Sequence, residues 1–357
     1  MFSFGRRKTA LLGVDISSTT VKLIELAQTT AATGPLFQVQ TYAVEPLPPN
    51  AVVEKKIAEV DAVGRAIQRA VAHSGTKATR AAVAVSGSAV ITKVIALPAA
   101  LSPAEMETQI QLEADQYIPY PLEEVNIDFD VLGQSSSNPE MVDVLLAASR
   151  RENVEDRVAA LEIGGLTAAV VDVEAYAMEN ACALLLDGHG AGRDDYTLAV
   201  VDIGATTTNL HVLHDGRIVY TREQGFGGQQ LVEEIQRRYA MPRDQALQKL
   251  GDGSLSDGFE LEVLMPFEET LAQQISRALQ FFYSASTFHR VDQLLLAGGP
   301  AGIRRLDAFV EDRLGIPTAV ANPFAQMSLA PRIKAQDIAR DAPSLMIAVG
   351  LALRGFD

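Results

Sequence analysis

No tryptophan occurs anywhere in the chain, aromatic residues amount to only 6%, and there is a single cysteine, Cys182. A lone thiol excludes an intrachain disulfide. Cys182 lies in an apolar run ending Leu184-Leu185-Leu186, so it is expected to be a buried structural thiol rather than a reactive one. Positive charge is scarce as well: 30 Lys and Arg against 45 Asp and Glu leave a net charge of −15, the wrong sign for holding phosphate backbones or anionic headgroups. Nucleic acid is therefore not expected as a partner. The longest apolar run, around Leu345 to Leu353, is half of the roughly 20 residues that span a bilayer. The basic start Met1-Phe2-Ser3-Phe4-Gly5-Arg6-Arg7-Lys8 leads into a run broken by Asp15 and does not read as a signal peptide. Phe2 and Phe4 beside three cations fit either a frayed end or one that touches a membrane surface. These absences predict a cytoplasmic protein.

What is present is apolar material for more than one core: 48% hydrophobic residues over 357 positions, more than one domain usually serves. Within it, Val200-Val201-Asp202-Ile203-Gly204-Ala205-Thr206-Thr207-Thr208-Asn209 is an apolar strand that meets an acid, a polar turn and a second strand. Leu210 and Val212 alternate there with Asn209 and His211. Such a turn can aim N–H groups and hydroxyls at phosphate oxygens while the carboxylate holds a hydrated cation; an ordinary hairpin has the same appearance. The pattern recurs. Leu12-Gly13-Val14-Asp15-Ile16-Ser17-Ser18-Thr19-Thr20-Val21-Lys22-Leu23 superposes on it with Asp15 on Asp202, Thr19 on Thr206 and Thr20 on Thr207, at an offset of 187 residues. A repeat this distant argues for two related lobes, each presenting an acid to a shared cleft.

The two hairpins resemble those of the actin-like ATPase family, which includes actin, Hsp70 and sugar kinases. Val291-Asp292-Gln293-Leu294-Leu295-Leu296-Ala297-Gly298-Gly299-Pro300 is similar to that family's adenosine loop, where glycines let the backbone approach a base. Val173-Glu174-Ala175-Tyr176-Ala177 and Ala348-Val349-Gly350-Leu351-Ala352 resemble its interdomain connectors. The resemblance implies an α/β protein with the actin-like ATPase fold, built from two ribonuclease-H-like lobes.

Between the motifs, Phe37 to Val44 reads as a strand, Val60 to Val71 as a helix and Ala81 to Val85 as a strand ending at Ser86-Gly87-Ser88, which fits a plain turn or a ligand contact. Ser102-Pro103-Ala104-Glu105 is a capping box with proline at the first helical position, opening a helix that carries Ile110, Ala114 and Tyr117 and stops before Pro119. Asn126 to Val131 and Val142 to Ala148 read as paired strands around the loop Gln134-Ser135-Ser136-Ser137-Asn138, and Glu152 to Ile163 reads as a helix. This stretch looks like an inserted subdomain. Gly188 to Arg193 reads as a flexible joint. Gln224-Gly225-Phe226-Gly227-Gly228-Gln229 precedes a helix to Tyr239 and offers an anion site at its N-terminus, or a satisfied loop. Pro242 to Leu250 reads as a short helix followed by the turn Gly251-Asp252-Gly253-Ser254. Glu268 to Phe288 reads as a long helix whose Leu271, Ile275, Ala278, Leu279 and Phe282 stripe is core.

The insertion narrows the resemblance. Leu112-Glu113-Ala114-Asp115-Gln116-Tyr117-Ile118-Pro119-Tyr120-Pro121, with Asp15-Ile16-Ser17-Ser18 and Ala278-Leu279-Gln280-Phe281-Phe282-Tyr283, resembles the PilM family, cytoplasmic FtsA-like proteins of type IV pilus assembly. That resemblance covers the whole chain. It implies an FtsA-type inserted subdomain and four segments: 1–90 with 164–190, 91–163, 191–345, and the connector 346–357. It implies ATP with magnesium held through water by Asp15 and Asp202. Ser17, Ser18, Thr19, Lys22, Gly204, Thr206, Thr207, Gly227, Gly228, Lys249, Gly298, Gly299 and Pro300 would form the nucleotide site. Lys249 stands one position before the expected lysine, which falls on Leu250, and one residue turns a helix by about 100°. The implied partner is a PilN-like inner-membrane protein, through its cytoplasmic N-terminal peptide, with Glu113 and Tyr117 in the docking region. Other pilus platform and motor proteins, and self-association, stay open.

Glu174 either orients a water for slow ATP hydrolysis or simply favours the positive end of its helix. A small-molecule phosphotransferase would need a base deep in the cleft, and the residues supply no evident one. An FtsA-like division protein should end in an amphipathic helix, whereas this sequence stops at Arg354-Gly355-Phe356-Asp357. The expected function is thus an ATP-binding scaffold, brought to the inner membrane by its partner.

Overall fold

The computed structural model describes residues 11–29, 36–135, 138–189, 195–252 and 258–356. The basic N-terminal octet, residues 136–137 of the polar loop, 190–193 of the joint, 253–254 of the turn after Leu250, and Asp357 lie outside the described residues.

All six residues of Leu11–Ile16 are buried, and all but Asp15 are apolar or glycine. It pairs antiparallel with Thr20–Gln28 on one side and parallel with Arg80–Val85 on the other. Phe37–Pro46 and Thr167–Val173 extend the sheet outward on either side, and the short strand Ser328–Leu329 closes one edge. The second sheet repeats this plan. Thr197–Ile203 pairs antiparallel with Thr208–His214 and parallel with Gln293–Ala297, flanked by Arg217–Gln224 and Thr318–Val320. The repeat seen in sequence is therefore a repeat of topology, and the molecule has the expected actin-like fold. Register makes the comparison exact in one respect that matters: Asp15 faces Lys22 across its hairpin, and Asp202 faces Asn209 across the other.

Three hydrophobic layers hold the sheets. Val60–Ser74 and Arg151–Ile163 cover the outer face of the first sheet, burying Val63, Ile67 and Leu161. Gly228–Tyr239 and Met265–Ala285 cover the outer face of the second, burying Leu231, Ile235, Leu271 and Phe282. Between the sheets lie Glu174–His189 and Met346–Leu353, in one core that takes Ile24 and Val39 from the first sheet and Leu198, Val200 and Leu295 from the second. Cys182 is buried in this middle layer, and burial pushes its thiol up to about 12. It is the inert thiol the sequence suggests.

The small residues of these connector helices have a geometric purpose. A Cβ on Gly350 would stand 1.7 Å from the Ala177 carbonyl oxygen, and one on Gly13 would stand 1.9 Å from that of Ala348. Helix therefore lies on helix, and helix on strand, at backbone contact.

The inserted unit is a three-stranded antiparallel sheet with Met141–Arg150 between Val90–Pro98 and Val125–Gln134. Sequence periodicity shows the pair but misses Val90–Pro98, which is largely exposed apart from Ile95 and Leu97. Pro103–Ala114 packs on the sheet through Met106 and Ile110, with the expected Ser102–Glu105 capping box in place. The helix ends at Ala114 rather than carrying on through Tyr117; Gln116, Tyr117 and Ile118 donate to the Glu113 and Ala114 carbonyls in a closing turn, as Pro119 disfavours helical geometry before it.

Three boundaries differ elsewhere, the first that of Arg243–Asp252, which takes Gly251 and Asp252 of the expected turn into the helix. Glu174–His189 takes Gly188 and His189 into the helix, and the long helix Met265–Ala285 begins before Glu268, with Pro266 in its first turn, and stops short of Phe288. No helix among the described residues is long and apolar enough to cross a membrane.

Candidate functional site

Both acid-bearing hairpins point into one cleft. Their turns touch: Ser18 Oγ and Thr206 Oγ1 are 3.4 Å apart, which closes the 187-residue repeat on itself in space. On the first turn Ser17 Oγ donates to the Thr20 carbonyl at 2.9 Å, and the Thr19 carbonyl accepts from Leu47 N–H, so the turn is braced from within and from behind. Asp15 is buried and binds Lys22 Nζ at 2.7 Å. Lys22 was expected to face phosphate. It is already committed to a carboxylate, because register places it directly opposite.

Asp202 differs. The equivalent position on its partner strand is Asn209, and no cation lies within ion-pair distance of Asp202 among the described residues. Desolvation raises its carboxyl above the ordinary range, with Lys22 opposing and Asp15 reinforcing the shift. Beside it, Gly298 has a φ of +88°, and a Cβ there would stand 2.1 Å from the Ile203 carbonyl oxygen and 2.9 Å from Asp202 Oδ1. Only glycine fits. The Gly298-Gly299-Pro300 loop thus lies against the acid of the second hairpin, as the sequence order suggests.

Gly227 and Gly228 also reach this hairpin, but for a different reason than expected. Gly228 N–H donates to the Gly204 carbonyl at 3.0 Å and Gln229 N–H to that of Ala205 at 2.8 Å, so these first helix donors are spent on protein. A Cβ on Gly227 would stand 2.5 Å from the Ala205 carbonyl oxygen, and one on Gly228 2.6 Å from Pro300 Cγ. The glycines serve close packing of three loops rather than an open anion cradle. Gly204 N–H closes its own turn on the Thr207 carbonyl. Lys249 stays apart: Arg243–Asp252 turns Leu250 toward the second core and leaves Lys249 half-buried, with no ion pair among the described residues. Glu113 and Tyr117 belong to the inserted unit, where Gln109 holds Glu113 and Lys93 Nζ lies 5.5 Å from the Tyr117 ring centre.

Glu174 does join the cleft. It starts its helix beside a cavity of about 270 Å³ whose walls include Lys55, Ser88, Glu174, Asp202, His211 and Glu223. Sequence reasoning missed Lys55 and Glu223 entirely. Lys55 sits in the two-residue turn between Val52–Val53 and Lys56–Ile57, where Glu54 and Lys55 both have positive φ, 47° and 64°. Such a hairpin turn favours Asn-Gly, and side chains in that region cost about 1–2 kcal/mol each, so nothing local in the sequence marks it. Arg157 explains its persistence. This buried guanidinium donates to the Lys55 carbonyl at 3.2 Å, to that of Ala84 at 2.6 Å and to that of Asn153 at 2.9 Å.

From that turn Lys55 Nζ reaches Glu223 Oε2 at 2.8 Å, Glu174 Oε2 at 3.3 Å and, with the amide oriented to suit the network, the Asn209 oxygen at 3.2 Å. Burial works against its charge, but the two glutamates outweigh it and hold the ammonium above its ordinary range. Glu174 is raised by desolvation, with Lys55 pulling the other way. His211 is pushed down to about 4 by burial and by Lys55, so it is neutral at pH 7. A signal for the second-lobe residues was present, since Asn209 and His211 alternate with apolar residues on one strand and so share a face.

A family model described as type IV pilus assembly protein PilM matches residues 13–356. Among solved structures, a PilM–PilN type IV pilus biogenesis complex is similar at 28% identity over 98% of this chain and 99% of that one, with a TM-score of 0.81. The ethanolamine utilization protein EutJ from Carboxydothermus hydrogenoformans is similar at 16% identity over 96% and 89%, with a TM-score of 0.57, a likeness of fold alone.

Proposed function

Because the chain belongs to the type IV pilus assembly protein PilM family, we propose that it is a nucleotide-loaded scaffold that docks the cytoplasmic N-terminal peptide of a PilN-like inner-membrane protein. The observation that carries this reading is the likeness, over nearly the full length of both chains, to the PilM–PilN complex. On the same reading the protein is held at the inner membrane through that partner, and residues 91–163 form a docking unit set into the first lobe. The sheet of that unit leaves Val94, Leu132 and, on its helix, Leu112 exposed, at 50%, 55% and 68%. Apolar groups of this kind on a sheet and helix give a short peptide its anchors.

ATP and magnesium fit the interlobe cleft. Asp202 is a cleft carboxylate with no ion pair among the described residues, Gly298 keeps a side chain off its Oδ1, and the polar turns of both hairpins meet at Ser18 and Thr206. Asp15 and Asp202 would hold magnesium through its waters, the usual habit of that ion. The bound metal would supply charge neutralisation for phosphate oxygens. Glu174 is a poor general base while it is ion-paired to Lys55, which supports slow turnover and a mainly structural role for the nucleotide.

The test is calorimetric titration of a synthetic PilN-like N-terminal peptide into the protein, with ATP–magnesium and without nucleotide. Binding is expected in at least one condition, and the difference between them is the coupling free energy between the sites. Leu112→Asp and Tyr117→Ala should weaken the peptide about tenfold and spare nucleotide affinity. Equal loss of both ligands would show that the inserted unit is not a separate docking module.

A further inference from the structure

Among the described residues lining the interlobe cavity, Lys55 is the one cation; Lys22 is committed to Asp15, and His211 is neutral. Its ammonium has three donors and three acceptors: Glu223 Oε2, Glu174 Oε2 and the Asn209 oxygen. Two of these belong to the second sheet, while the turn that carries Lys55 is pinned to the first lobe by Arg157. Across the same cavity stands Asp202, against the Gly298 loop. A phosphoryl group that extends past Asp202 into the cavity would meet Lys55 and compete with two carboxylates for it.

We propose that Lys55 is the residue that distinguishes a nucleoside triphosphate from a diphosphate in this cleft, exchanging its interlobe carboxylate contacts for the terminal phosphate. The inference rests on the nucleotide reading given above. A diphosphate ends short of the cavity and leaves the Glu174–Lys55–Glu223 bridge intact. A triphosphate takes the ammonium, loosens Glu223 and leaves Glu174 without its counter-ion beside the terminal phosphate. The positive φ of Glu54 and Lys55 fits this role, since a strained turn held by a buried arginine keeps the cation aimed at one point.

The experiment compares ATP–magnesium and ADP–magnesium affinities by calorimetry for the full chain, Lys55→Asn and Glu223→Gln. Asparagine tolerates positive φ, so Lys55→Asn removes the charge and keeps the turn. It is expected to weaken ATP about tenfold or more while ADP stays within about twofold, a scale set by one lost charge-assisted contact. Glu223→Gln leaves the turn untouched, releases Lys55 from its nearest carboxylate and is expected to raise the preference for ATP over ADP. Equal weakening of both nucleotides by Lys55→Asn would make Lys55 a mere brace and overturn the proposal. An unchanged ATP to ADP ratio in Glu223→Gln would overturn it too, even if Lys55→Asn failed to fold. Absence of binding of either nucleotide to the unaltered protein would instead remove the nucleotide reading itself, and this proposal with it.

Discussion

Asp202→Ala is expected to lower magnesium-dependent ATP affinity about a hundredfold or more, and Asp202→Asn is expected to raise the melting temperature of the nucleotide-free protein at neutral pH. The two effects have one cause. Asp202 is a desolvated carboxylate with no ion pair among the described residues, whereas its counterpart Asp15 has Lys22 at 2.7 Å. A site that keeps an uncompensated charge is poised for a cation, and removing the charge removes a charge-assisted contact to the hydrated metal. The same charge burdens the nucleotide-free fold. The sign follows from linkage: the folded pKa of Asp202 lies above the unfolded value, so its contribution to stability is fully present below the unfolded pKa and is lost as pH rises through the folded pKa. The penalty grows as pH rises above the unfolded pKa, and an uncharged amide of the same shape escapes it. Calorimetric titration and a thermal melt of each variant measure both halves. Unchanged ATP affinity in Asp202→Ala would remove Asp202 from the site. A lower melting temperature in Asp202→Asn would mean that the carboxylate has a partner in solution.

Gly350→Ala should cost about 3 kcal/mol or more of folding stability, measured as a shift in the denaturant midpoint. One added methyl is ordinarily a gain in a helix, since alanine is the better helix former. Here the methyl would stand 1.7 Å from the Ala177 carbonyl oxygen, a backbone atom that cannot turn aside as a side chain can. The connector helices would have to part, and the middle core joining both sheets would part with them. Gly302→Ala is the matched control: nothing lies within 4 Å of its added methyl, and its cost should stay within about 0.5 kcal/mol. A small effect at Gly350 would mean that the helices cross elsewhere.

These two residues also show what could be read from sequence. Asp202 was visible because strand, acid and hydroxyls follow one another within ten positions and recur in register 187 residues away. Gly350 was visible only as one small residue among several, without the contact that makes it necessary. Lys55 was not visible at all. Its turn lacks the glycine or asparagine that marks such hairpins, and its importance comes from Glu223, Asn209 and Arg157, which approach it from distant parts of the chain. The Gly227-Gly228 pair was found for its composition and assigned a phosphate-facing role, whereas its donors close on Gly204 and Ala205.

By itself, the sequence determined the two-lobe repeat, the order of the motifs, the inserted unit and the acids that meet between the lobes. Each of these is written in periodicity or in a short contiguous motif, because local backbone geometry and one-sided burial act over a few neighbouring residues. Tertiary structure alone decided which cation serves which acid. Register across one hairpin gives Asp15 its lysine, the same register gives Asp202 only an asparagine, and a strained turn brings Lys55 to the two glutamates. Charge pairing depends on through-space distance between chain segments far apart in sequence, and distance is what folding supplies.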